Sequence, residues 1–412
     1  IKQHYRYKGC TREMSKHLID PDKCTACTVC VAHCPVTAAT RKFRGPKITG
    51  PALERIRMQV TDEDNSLQYC SNCKNCDMSC PSGVPISTLN MIARANYHKK
   101  HKQQTCDDML AHGEGMGKLA TAVPGLSSMI NLGMKVGKGL GMMGVVGLAN
   151  EAPLPPFASE SFYAKFKRIK QTSFPQKVVF YPGCFINTNQ PEVGVALVEV
   201  FQKNNIEVIV DEDFVCCGSP LVTGGYLDEA KQNADKNLSI IKKWTEKGYP
   251  VITACTSCGL MLKQEYQELF HLDADEVNAK NMYDAIEYLE ILNEEGKLNT
   301  EFKTTNAKLM YHPPCHLRAQ GFGLPSMEVL SLVPGVEIEN ADAGCCGISG
   351  SYGMKADKYE IGMKVGSKLF NRIKESSAET VVCECGTCRI QITHGSGTKA
   401  IHPLQLLNQA YK

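Results

Sequence analysis

From Lys177 onward the chain alternates between two hydrophobic periods. "KVVFY" (177–181) and "PVITA" (250–254) are short apolar runs rich in β-branched residues, which predicts strands. "PEVGVALVEVFQKNN" (191–205) and "LDEAKQNADKNLSIIKKWTEKG" (227–248) repeat their apolar positions with helical spacing, and the second stops at Gly248. The same order then returns. "KLMYH" (308–312) and "TVVCE" (380–384) are the strand-like runs, and "MEVLSLV" (327–333) and "KYEIGMKVGSKLFNRIKES" (358–376) the helical ones. Strands alternating with helices predict an α/β layout with a mostly parallel sheet, built twice.

The first hundred residues read differently. A Gly/Pro turn in "GPKITGPALERIRM" (45–58) leads into a short amphipathic helix from about Ala52. A second helix starts near Pro85 in "PISTLNMIARANYHKK" (85–100), with Leu89, Ile92 and Ala93 on its apolar face. Residues 112–160 are rich in Gly and Met, and "APLPPF" (152–157) reads as a linker. Within this stretch "MINLGMKVGKGLGMMGVVGL" (129–148) has the length of a membrane-crossing helix. Lys135 and Lys138 argue against crossing, at about 2.5–3.5 kcal/mol each on the insertion scale. Gly133, Gly137 and Gly141 offer a face for close helix packing, so an interfacial or partner-docked helix is expected, with a plain interdomain loop as the alternative. The run "YHKKHK" (97–102) suits anionic lipid or an ordinary solvated face.

Composition sharpens this picture at one point. The 412-residue chain is 43% hydrophobic, enough for several packed domains, and its net charge of +3 gives no electrostatic case for nucleic acid. No run of 18 apolar residues is present, and "IKQHYRYKGC" at the start is not a signal peptide. It lacks a starting Met, which leaves room for residues upstream. The 21 cysteines are the informative number. They sit in tight, repeated groups, which points to metal binding in a reducing compartment rather than to a disulfide framework.

Two groups share one spacing: "CTACTVCVAHCP" (24–35) and "CSNCKNCDMSCP" (70–81) are both C-x2-C-x2-C-x3-C-P. That is the ligand run of bacterial ferredoxins, in which three thiolates grip one cluster and the fourth reaches the other. The expectation is two cubane [4Fe–4S] clusters with crossed ligation, Cys24, Cys27, Cys30 and Cys80 on one and Cys34, Cys70, Cys73 and Cys76 on the other. Zinc is the competing reading, disfavoured because its sites usually use two CxxC pairs.

Ten more cysteines mark the repeat. Cys184, the pair Cys216–Cys217 and the CxxC of Cys255 and Cys258 recur 131, 129 and 130 residues on as Cys315, Cys345–Cys346 and Cys385/Cys388. Adjacent cysteines are expected to diverge, so five soft ligands at one sheet rim suggest a polynuclear iron–sulfur centre in each module. Zinc and redox-active disulfides stay open. The Gly after each pair is expected to take positive φ or a close backbone approach. Cys383 is an extra thiol beside the second CxxC, while Cys10 and Cys106 are expected to be ordinary free cysteines. The modules differ beside their first cysteine: Tyr181 and Phe185 in one, His312, His316 and Arg318 in the other, with Glu384 by the second CxxC. His316 and His312 are candidate proton donors, which would put the second module nearer the terminal acceptor; the alternative is polar loop residues. His17, His101 and His112 are expected to be solvated. No G-x-G-x-x-G follows a strand, so FAD or NAD is not expected in this chain.

The pattern C…CCG…CxxC, twice, behind a two-cluster run resembles the CCG-motif family of heterodisulfide reductase subunits and glycolate and lactate oxidase iron–sulfur subunits. "YCSNCKNCDMSCPSGVPI", "YHPPCHLRAQGF", "CCGISGSYGMKADKY", "CGTCRIQI" and "HPLQLL", with "GPKITGPALERIRM", carry the resemblance over nearly the whole chain. They favour the branch serving glycerol 3-phosphate oxidation. The resemblance implies an α+β protein: a helical ferredoxin-like domain (1–110), a Gly/Met-rich docking segment and linker (111–175), and two pseudo-symmetric, Rossmann-like α/β modules (176–300 and 301–412). It implies one or two non-cubane [4Fe–4S] clusters in those modules. It further implies a quinone-dependent dehydrogenase subunit, peripheral on the cytoplasmic side of the inner membrane. Electrons would come from a flavoprotein dehydrogenase partner and pass to menaquinone, at the membrane surface or through a membrane subunit. Two rivals are a heterodisulfide reductase-like subunit acting on a disulfide or thiol, and a glycolate or lactate oxidase subunit. A zinc-stapled scaffold is a third, and colour alone separates it from an iron–sulfur protein.

Overall fold

The computed structural model describes residues 20–57 and 64–412, so Cys10 and His17 lie outside the described residues. The N-terminal domain is helical and is organised around its two cysteine runs. Each run closes on a one-turn helix, Val29–Ala32 or Asn75–Met78. In both, the residues either side of the second cysteine are left-handed without being glycine: Ala26 (φ 60°) and Thr28 (φ 67°), Asn72 (φ 51°) and Lys74 (φ 63°). Each such residue costs about 1–3 kcal/mol, and such conformations cluster where function holds them. The helix α1 (Ile86–His98) seats Ile86, Leu89, Met91 and Ala93 against these loops. Its buried Arg94 donates to the carbonyls of Leu67 and Cys70, and at 2.9 Å to Thr223 of the next domain.

The Gly/Met segment forms helices rather than a loop: α2 (Gly113–Ala122) and α3 (Leu126–Gly139). The helix expected over 129–148 therefore ends early. Gly141 is left-handed (φ 71°), and a 3-10 turn follows over Met142–Val146. At 14 residues α3 is about 21 Å long, short of the roughly 30 Å hydrocarbon core. Among the described residues no helix is long and apolar enough to cross a membrane.

The first module runs β1 (Gln176–Tyr181), α4 (Gly183–Thr188), α5 (Pro191–Lys203), β2 (Ile206–Val210), α6 (Leu227–Thr245), β3 (Val251–Thr253), β4 (Met282–Asp284) and α7 (Ala285–Glu294). All its strands pair in parallel, in the order β2-β1-β3-β4. The second module repeats this. It runs β5 (Ala307–Tyr311), α8 (Cys315–Arg318), α9 (Pro325–Ser331), β6 (Val336–Asn340), α10 (Tyr359–Glu375), β7 (Thr380–Val382), α11 (Gly386–Ser396), β8 (Ala400–Ile401) and α12 (Pro403–Ala410), with parallel order β6-β5-β7-β8. Each central strand is buried, as helices on both faces require.

Two equivalent helix pairs join the modules: α5 packs on α12, and α9 on α7. Exchanging the modules exchanges the pairs, so the seam is a pseudo-twofold. One apolar core crosses it, running from Val178, Phe180 and Ile252 to Leu309, Tyr311 and Val382.

Candidate iron–sulfur sites

Every module cysteine lies just beyond the C-terminal end of a strand, where open α/β sheets build their sites. In the first module Cys216 Sγ lies 3.7 Å from Cys184 Sγ, and Cys258 is in hydrogen-bond contact with both Cys217 and Cys255. In the second, Cys346 Sγ lies 3.1 Å from Cys388 Sγ, Cys315 contacts Cys345, and Cys388 contacts Cys385 and Cys383. The adjacent pairs do not diverge as expected: Cys216 meets Cys217, and Cys345 meets Cys346, inside one site. What allows this is the glycine that follows. Gly218 and Gly347 have φ of 89° and 87°, and a Cβ on Gly347 would collide with the Gly362 carbonyl oxygen.

In the N-terminal domain, burial raises Cys30 to about 11, helped by the negative charge of Cys24, Cys80 and Cys27. Cys70, Cys73 and Cys76 are also raised, by burial first; Cys34 adds to the shift at Cys70 and Cys73. The structure thus brings Cys80 to the first run and Cys34 to the second. Backbone N–H groups point at the fourth sulfur of each run, Thr37 at Cys34 (3.5 Å) and Val84 at Cys80 (3.4 Å).

These thiols fit iron and inorganic sulfur. Crowding and burial make most of them hard to ionise without a counter-cation. Hydrogen bonds from Cys216 and Cys258, or from Cys345 and Cys388, pull down the second cysteine of each pair. Buried Arg94 beside Cys70, half-buried Arg318 beside Cys315 and buried Arg389 beside Cys383, Cys385 and Cys255 supply positive charge. Three guanidinium groups cannot balance eighteen thiolates; iron can. Alternating left-handed residues also turn successive N–H groups to one side, the concavity that accepts an anionic cluster.

The sites stand in a row. Cys30 and Cys76 share an apolar cluster with Val84, Ile86 and Leu89. Cys73 is close enough to Cys315 and Cys345 for their charges to interact, and so is Cys385 to Cys255. The Phe185 ring of the first module lies against Gly386 in the CxxC loop of the second. Cys184 is half-buried and lines a small cleft with Glu114, Lys118, Tyr163, Tyr181 and Phe214. Glu114 of α2 accepts from the Cys216 N–H at 3.1 Å.

Both histidine expectations change. His312 is sealed, and burial, then Arg318, pulls its pKa down to about 4, so it stores no proton at neutral pH. His316 donates from Nε2 to the Asn72 carbonyl (2.9 Å), and its Nδ1 is hydrogen-bonded to Ser257 Oγ (2.9 Å). It ties the N-terminal domain to both modules rather than presenting a free proton. Glu384 is buried and bonded to Tyr311 and Ser326. Cys106 is fully buried against Gly147, a packing role. Sequence reasoning missed Lys74, Asn72, Glu265 and Ser257, because each acts through a partner far away in the chain, and Arg389, whose bonds to the Cys383 and Glu384 carbonyls are local but form only once the CxxC loop is folded. Lys74 pairs with Glu265 at 3.0 Å and Asn72 bonds Glu265 at 3.0 Å, across the domain junction.

Sites of this kind define the iron–sulfur subunits of oxidoreductases, and comparison with known proteins agrees. Residues 20–84 match the 4Fe-4S dicluster domain, and residues 178–263 and 309–393 each match the cysteine-rich (CCG) domain. The chain is 32% identical over 398 residues to one of the subunits of anaerobic glycerol-3-phosphate dehydrogenase from Escherichia coli (strain K12), covering 94% of this chain and 98% of that one. It is 27% identical to a fumarate reductase (CoM/CoB) subunit of Methanothermobacter marburgensis, over 94% of this chain and 72% of the relative. It is 25% identical to a dihydromethanophenazine:CoB–CoM heterodisulfide reductase subunit of Methanosarcina acetivorans, over 92% and 90%. The chain belongs to the family of the anaerobic glycerol-3-phosphate dehydrogenase subunit that it matches over 94% of its length.

Proposed function

We propose that this chain carries electrons from a flavoprotein dehydrogenase, acting on glycerol 3-phosphate, to menaquinone at the cytoplasmic face of the membrane. In this reading Cys24, Cys27, Cys30 and Cys80, and Cys34, Cys70, Cys73 and Cys76, hold two cubane [4Fe–4S] clusters. The five thiols of each Rossmann-like module hold a non-cubane [4Fe–4S] cluster. The clusters supply one-electron transfer; the protein spaces them and keeps water out.

The observation that carries the reading is the unbroken row of thiol sites, from Cys30 through Cys76, Cys73, Cys315 and Cys345, then Cys385 and Cys255, to Cys184 at its cleft. The first module comes last in this order, the reverse of the sequence expectation. The apolar surface adjoins both modules: α2 packs on α4 of the first, while Met143, Val146 and Leu148 pack on the core of the second. Nine of the eleven exposed large apolar side chains among the described residues lie between Met116 and Val145. Met129, Leu132 and Val136 form one stripe on α3, continued by Leu140 at its C-cap, with Lys118 and Lys135 exposed nearby. Gly117 of α2 packs against Thr188 of α4, holding that surface next to Cys184.

The test uses anaerobically purified full-length protein. Iron and acid-labile sulfide should be present in equal amounts, and dithionite-reduced protein should be reoxidised by menadione embedded in anionic vesicles. Metal-poor protein, or reduced protein inert to the quinone but reoxidised by a disulfide, overturns the proposal.

A further inference from the structure

The two thiol sites differ at one inward-facing position. Tyr181 and His312 each stand three residues before the first cysteine of their module, at the end of β1 and just after β5. The Tyr181 hydroxyl is satisfied, donating to the Val215 carbonyl at 2.6 Å. His312 has no such outlet. It is 1% exposed, and its Nε2 is buried without a hydrogen-bond partner. A ring nitrogen of His312 and the sulfurs of Cys346 and Cys388 all lie within 4.8 Å of one another. Buried polar atoms in folded proteins are nearly always partnered, so an orphaned nitrogen facing two thiols marks a place for something the polypeptide does not supply.

We propose that His312 is an iron ligand of the second cysteine-rich module. That centre then takes five thiolates and one imidazole, where the first takes thiolates alone. The proposal rests on the iron–sulfur reading of the modules. Added to five thiolates rather than replacing one, a neutral imidazole leaves the ligand charge of the centre unchanged, unlike histidine that replaces cysteine in other iron–sulfur sites; what it contributes is a nitrogen donor that distinguishes one iron from the rest. The module so ligated is the one adjoining Cys73.

The experiment is 57Fe Mössbauer spectroscopy of the anaerobically purified full chain, comparing wild type with His312→Tyr (the first-module residue), His312→Gln and His316→Ala. Wild type and His316→Ala should share one iron subsite with a mixed nitrogen–sulfur environment. Both His312 variants should lose that subsite and keep their other iron. Superimposable spectra for wild type and His312→Tyr overturn the proposal, as does loss of the subsite in His316→Ala alone. Should the variants not fold, wild-type protein grown on 15N-histidine answers the question by pulsed EPR: a histidine nitrogen coupling supports ligation, and its absence in every paramagnetic state, with no distinct Mössbauer subsite, overturns it. Cys345→Ser separates the two levels. If it leaves the iron content unchanged, the second module holds no centre, and the underlying reading fails along with the proposal.

Discussion

Replacing Lys74 with methionine removes the cation from a buried group of carboxylates where the N-terminal domain meets the first module. Lys74 Nζ lies 3.0 Å from Glu265, 3.6 Å from Glu268 and 3.7 Å from Asp77, and the Lys74 and Glu265 side chains are 5% and 2% exposed. Methionine has a similar length and bears the same left-handed backbone cost, so the change isolates the charge. Breaking a buried pair from one side costs about 3–5 kcal/mol. With an unfolding entropy of roughly 2.1 cal/mol/K per residue, that lowers the midpoint of cooperative unfolding by about 3–6 °C. The pH dependence has a definite sign. Burial pushes the Glu265 carboxyl up, but Lys74, His316 and Asn72 together hold it below the usual range. Its stabilisation is thus present above the unfolded value of about 4.3 and lost as pH falls through the lower folded value. Without Lys74, burial wins and the folded pKa rises above the unfolded one. The deficit of the variant is then full at pH 7 and shrinks on acidification, as Glu265 takes up a proton. Thermal melts under argon at pH 7 and pH 5.5, followed by circular dichroism and cluster absorbance, measure both. A variant within about 1 °C of wild type at pH 7, or a deficit that widens at pH 5.5, refutes the reasoning.

Gly347→Ala should cost several times more iron than Gly218→Ala. Both are left-handed, but only the former drives its Cβ into a carbonyl, whereas the latter meets Ala230 at 3.3 Å; iron per chain in the two purified variants checks this. His316→Ala, which deletes bonds worth about 1–3 kcal/mol to Asn72 and Ser257, should leave iron content unchanged and slow reoxidation by menadione in stopped flow. Loss of iron instead would make the residue a site component rather than a tie. Leu132→Glu with Val136→Glu removes two exposed apolar side chains, each worth about 1.5–3 kcal/mol when buried. Co-sedimentation with anionic vesicles should fall by about a hundredfold while the melting temperature stays put; unchanged sedimentation would remove the membrane surface from the account.

Much of this molecule is readable from its chain because the informative residues are close together in sequence. The two C-x2-C-x2-C-x3-C-P runs are local, and the repeat of Cys184, Cys216–Cys217 and Cys255/Cys258 is a pattern of spacing. The central strands β1, β3, β5 and β7 are continuous apolar runs. The edge strands β2, β4, β6 and β8 escape the same reading. "VEIEN" in β6 alternates with acid, and β8 has two residues; the β-branched "IEVIV" of β2 does carry a usable signal. What joins the parts is non-local. His316 reaches Asn72 across 244 positions, and Asn72 reaches Glu265 across 193. Nor does spacing tell that Cys73 of the N-terminal domain lies by Cys315 and Cys345 of the second module. The aromatic and histidine neighbours suggest a different order from the one proposed above, because a histidine reads as a titrating group until its burial is known.

The seam between the modules has a further consequence. Its helix pairs, α5 with α12 and α9 with α7, are those of a symmetric dimer, except that the two halves are one polypeptide. A true dimer of identical chains must present the same residue at both equivalent positions, so any substitution alters both halves at once. Covalent linkage lifts that restriction. Tyr181 can face one sulfur pocket and His312 the other, and Gly259 can stand where its counterpart is Arg389. Tandem fusion thereby gives direction to an architecture whose symmetry would otherwise make forward and backward equivalent.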